Sequence, residues 1–97
     1  MNQRQGKFCS LSPATAPTVE ALWAALARDL GLPPHFGANR DALWDSLTGD
    51  LAGPATISIE DAGGLRARLG PAFDGILAVL RAAAAERDDL SVTIAGD

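Results

Sequence analysis

Ninety-seven residues are enough for one small domain around a single core and too few for two. Some 47% of them are apolar and 21% charged, with no repeats and no polar tract, which predicts a folded globular chain. The net charge of −4 excludes a phosphate-backbone binder built on clustered lysine and arginine, so nucleic acid is not an expected partner.

A single cysteine, Cys9, leaves no internal disulfide and fits a reducing compartment, where it packs as a small apolar group. The segment MNQRQGKF lacks the apolar centre of a signal peptide, and no apolar run reaches membrane-spanning length. The expectation is a cytoplasmic protein with no membrane partner.

Met1 to Gly6 reads as a flexible N-terminus ahead of a single domain over residues 7–97. Phe8 to Leu11 predicts a short strand that Pro13 terminates. Thr18 then caps the clearest helix, in which Val19, Leu22, Trp23, Leu26 and Leu30 recur on one face and Gly31 and Pro33 close the run. Trp23, on that apolar stripe, is structural. A second helix follows from about Asn39 to Thr48, with Asn39 at its N-cap and Gly49 at its end. After Gly53-Pro54 the alternating ATISIE reads as a strand. Asp61 to Leu69 contains Gly63-Gly64, which predicts a short, weakened helix, and Gly70-Pro71 ends it. Phe73, Ile76, Leu77, Leu80 and Ala84 mark another amphipathic helix running to about Arg87, before a last strand from Leu90 to Ile94. Strands joined by helical crossovers favour a parallel sheet, so the fold class is α/β, with a three-stranded parallel sheet and about four helices.

The charge is not spread evenly. Between Ala38 and Asp61 five acids, Asp41, Asp45, Asp50, Glu60 and Asp61, stand against Arg40 alone. On the second helix Asp41, Trp44, Asp45 and Thr48 share one stripe, with Leu43 and Leu47 opposite. Two carboxylates are thus presented on a rigid element beside an aromatic, and such a field steers a basic partner. An exposed charged helix face is the commonest meaning of such a pair, but an ordinary solvated face alternates sign and this one does not. A hydrolytic carboxylate pair needs a second polar wall, and none is evident. The only histidine, His35, has no companion at metal-ligand spacing, so neither a metal site nor any other cofactor is expected, and the chain is not expected to be an enzyme. His35 and Phe36 lie just before the acidic helix, as rim of the same surface or as loop packing.

The stretch LPPHFGANRDALWDSLTG resembles the signature of the barstar family, intracellular inhibitors of barnase-type ribonucleases, and the likeness extends more weakly from about Phe8 to Ile94. The resemblance implies a barstar-like fold without catalytic activity. It also implies a one-to-one complex with a basic, secreted, guanyl-preferring ribonuclease, the free inhibitor being a monomer. In that complex Asp45 takes the place of a substrate phosphate and Asp41 meets a second arginine. By the same matching His35, Phe36, Gly37, Asn39, Trp44, Thr48, Gly49 and Asp50 complete the contact surface. Three positions depart from the family pattern: His35 replaces a tyrosine, Asp50 an aromatic, and Ala82 an interfacial glutamate, leaving Arg81 and Glu86 as the nearest charges. The preferred nuclease is therefore expected to differ from barnase itself. An immunity protein of the same fold, neutralising a basic toxin with non-ribonuclease chemistry, accounts for the acidic face equally well.

Overall fold

The computed structural model describes residues 6–32 and 39–96. Three strands, β1 (Lys7–Leu11), β2 (Ala55–Ile59) and β3 (Leu90–Ile94), form a parallel sheet in the order β1-β2-β3. Register runs Phe8 to Thr56 to Ser91, and Ser10 to Ser58 to Thr93. Those hydroxyl-rich rows lie on one face, while Cys9, Leu11, Ile57, Ile59 and Leu90 point into the core on the other. Parallel sheets are usually covered on both sides and read as unbroken apolar runs. Here one face is polar and carries the exposed Phe8 (59%), and the resulting alternation is what made the strands legible.

Four helices supply the cover: α1 (Val19–Leu30), α2 (Arg40–Asp45), α3 (Ala62–Leu69) and α4 (Pro71–Glu86). Thr18 caps α1 through a bond from the Ala21 amide, and Gly31 ends it in the left-handed conformation (φ 66°) that its missing Cβ permits. α1 packs on β1, and α4 contacts α2, α3 and β3. Its buried side chains, Phe73, Ile76, Leu77, Leu80 and Ala83, make it the central helix of the core.

One of the two shorter helices matches expectation and the other differs. α3 is the short helix expected, eight residues long, and its glycines serve close approach. The Ala62 and Gly63 amides donate to the carbonyls of Ala95 and Gly96, which follow β3, and a Cβ on Gly63 would come within 3.1 Å of Gly96 O. Asp61 caps the helix from a positive φ of 61°, accepting from the Gly64 amide. The acidic helix, in turn, does not stop at Gly49: after α2 the chain makes one π-helical turn, Ser46–Asp50, and leaves the helix at Leu51.

Candidate functional site

The acidic segment is built from its cap upward. Asn39 lies in extended backbone (φ −139°) and its Oδ1 accepts from the Ala42 amide at 2.8 Å, satisfying one of the free donors at the start of α2. Leu43, Ser46 and Leu47 are buried, which anchors one side of the segment in the core. Asp41 and Asp45 are exposed, and among the described residues neither enters an ion pair or a side-chain hydrogen bond. Trp44 is half-buried and packs against the core from the edge of this surface.

The helix end has its own geometry. Thr48 Oγ1 donates to Trp44 O at 2.7 Å, a bond back to the preceding turn that bends helices. The Leu51 amide reaches Ser46 O at 2.8 Å, closing the wide turn. Gly49 is exposed, and a Cβ built on it would meet nothing within 4 Å, so its backbone is open to a partner. Asp50 is exposed beside it.

A residue far along the chain holds this turn. Arg87, at the end of α4, donates from Nη1 to the carbonyls of Leu47 and Leu51, both at 2.8 Å. Its Nε and Nη2 grip the two oxygens of Asp89 at 2.9 and 2.8 Å. Helix C-termini leave carbonyls without backbone donors, and a cation there also complements the helix dipole. Sequence reading missed this role. The only local signal was a cation past the end of α4, and its partners lie 40 and 36 residues away.

Asp41, Trp44 and Ala82 line one shallow groove between α2 and α4, together with Arg40, Gly75 and Val79. The structure thus places Ala82 beside Asp41 and Trp44. His35, Phe36 and Gly37 lie outside the described residues. Among the described residues no group of three or more histidine, cysteine, aspartate or glutamate side chains is placed to hold a metal, and no helix is long and apolar enough to cross a membrane. Cys9 is buried, with its thiol 3.7 Å from Ala25 O. Burial, reinforced by the nearby Asp29 charge, pushes that thiol up to about 12, which leaves it unreactive.

Comparison with known proteins shows the family. The sequence model of the family described as "Barstar (barnase inhibitor)" matches residues 7–95. A Bacillus subtilis (strain 168) protein named "Putative ribonuclease inhibitor YrdF" is 34% identical over 77 residues, covering 78% of this chain and 85% of the relative.

Proposed function

The chain belongs to the barstar family of barnase inhibitors, and from that premise we propose that it is a cytoplasmic inhibitor of a secreted, guanyl-preferring ribonuclease, acting by one-to-one occlusion of the active site. The observation that carries the reading is the pair Asp41 and Asp45, exposed and unpaired among the described residues on a helix whose other side is locked into the core. A ribonuclease pocket must carry arginine, lysine or histidine to bind the scissile phosphate, and a rigidly held carboxylate fits that pocket. Asp45 takes the phosphate position and Asp41 meets a neighbouring cation. Thr48, Gly49 and Asp50 approach through the exposed end of the helix, while Trp44 and Asn39 flank the carboxylates, and His35, Phe36 and Gly37 belong to the same contact surface. The local excess of acids speeds capture, an effect for which the family's reference complex is itself the standard example. Inhibition requires no chemistry by the inhibitor, so the protein is not an enzyme in this reading, and it needs no cofactor.

The test is titration of the protein into assays of barnase and other secreted microbial ribonucleases, beside Asp45→Ala. Stoichiometric inhibition that Asp45→Ala weakens by on the order of 2–5 kcal/mol supports the reading, a range drawn in part from this family's reference complex. Failure to inhibit any of them moves the assignment to an immunity protein against a toxin of other chemistry.

A further inference from the structure

The helix that presents Asp41 and Asp45 is only six residues long, and the turn that follows it is π-helical. Such an end is intrinsically loose: Gly49 has poor helix propensity, and the Thr48 hydroxyl competes for the Trp44 carbonyl. Burial of Leu47 and Leu51 anchors its side chains, and its carbonyls are held from outside the segment. Arg87 Nη1 bridges Leu47 O, inside the turn, and Leu51 O, just past it, while Nε and Nη2 are held by Asp89. Arg87 is 19% exposed and Asp89 44%, so the four bonds form at the edge of the core. The chain makes room for them, since a Cβ on Gly53 would run into the Asp89 carboxylate and lie 3.0 Å from Arg87 Nη2.

We propose that Arg87 and Asp89 form a latch that holds the Ser46–Asp50 turn in the conformation a nuclease binds, making Arg87 a positioning residue of the inhibitory surface. The inference rests on the function proposed above. If the turn opens, only the latched fraction of molecules binds, and affinity falls in proportion to that fraction. Charge alone predicts the opposite: removing a cation from an acidic inhibitor strengthens its attraction to a basic nuclease. The two effects therefore have opposite signs in one variant.

The experiment follows amide hydrogen exchange at Leu51 and, as an internal reference, at Ile57 in the central strand, and measures affinity for barnase. The proteins are the wild type, Arg87→Ala, Arg87→Lys and Gly53→Ala. The latch predicts that Arg87→Ala exchanges Leu51 at least about tenfold faster with Ile57 unchanged, and binds barnase about tenfold more weakly. Arg87→Lys keeps the charge without the fork and restores neither property. Gly53→Ala reproduces both defects with the charges intact. Unchanged exchange at Leu51, or equal or tighter binding by Arg87→Ala, overturns the proposal. A wild-type protein that does not bind barnase contradicts barnase recognition alone, and exchange then decides whether the latch holds the turn.

Discussion

Arg40, the single cation among the acids of the presented helix, lies across Gly75 of α4: a Cβ on that glycine would sit 2.7 Å from Nη1 and 3.1 Å from Cδ. Gly75 therefore gives the arginine its seat between the two helices. Two effects compete in Gly75→Ala. Replacing a glycine inside a helix gains about 0.5–1 kcal/mol, whereas the new methyl displaces the far end of an exposed, flexible side chain that rehydrates at little cost. Propensity wins, and urea unfolding should show a net gain of about 0.5 kcal/mol with an unchanged slope. A loss above about 1 kcal/mol would mean that Arg40 is wedged in place.

Gly49 separates structure from recognition. Its Cβ position is open and its φ is not in the left-handed region, so Gly49→Ala fits the free protein and should leave stability unchanged or raise it by up to about 1 kcal/mol. At a closely packed interface the same methyl meets the partner's backbone. The expected outcome is weaker nuclease binding by at least tenfold at undiminished stability; undiminished binding would remove Gly49 from the contact surface.

Stability should fall at both ends of the pH scale, for different reasons. The Cys9 thiol is raised from its ordinary value of 9.0 to about 12, chiefly by burial, so the fold favours its neutral form. Its contribution is complete below pH 9 and is lost as pH rises toward 12. Asp29 and Asp89 are lowered by hydrogen bonds from Arg28 and Arg87, so their contributions are present above the usual carboxylate range and lost as pH falls through their depressed values. Urea midpoints against pH should show both arms, with Cys9→Ala removing the alkaline one and Asp89→Asn reducing the acid one.

What the sequence made legible was whatever is written locally. Thr18, Asn39 and Gly31 cap their helices as their residue types require, and the leucines of α1 and α4 are buried at the spacing that predicted them. Asp41 and Asp45 emerged on an exposed face because Leu43 and Leu47 fix the opposite one. The misses all came from contacts distant in sequence. Gly49 reads as a stop, yet it lies inside a π-helical turn that ends at Asp50 and whose Leu47 carbonyl is bonded by the distant Arg87. Gly63 and Gly64 read as weakening a short helix, which is present, but the reason for them is not local: the carbonyls that approach the start of α3 belong to Ala95 and Gly96, beyond the last strand. Ala82 stood out only through the family resemblance, and its neighbours Asp41 and Trp44 emerge only when α2 and α4 pack.

The central claim is that Asp45 occupies the place of a substrate phosphate, and competition tests it most directly. Binding of this protein to barnase, or to whichever secreted ribonuclease it inhibits most strongly, is measured against rising concentrations of guanosine 3′-monophosphate. Occlusion predicts mutually exclusive binding: the apparent Kd rises in proportion to nucleotide once the active site is filled, and Asp45→Ala loses most of its affinity even without nucleotide. An affinity indifferent to saturating nucleotide, with a ternary complex of nuclease, nucleotide and inhibitor, would contradict the account.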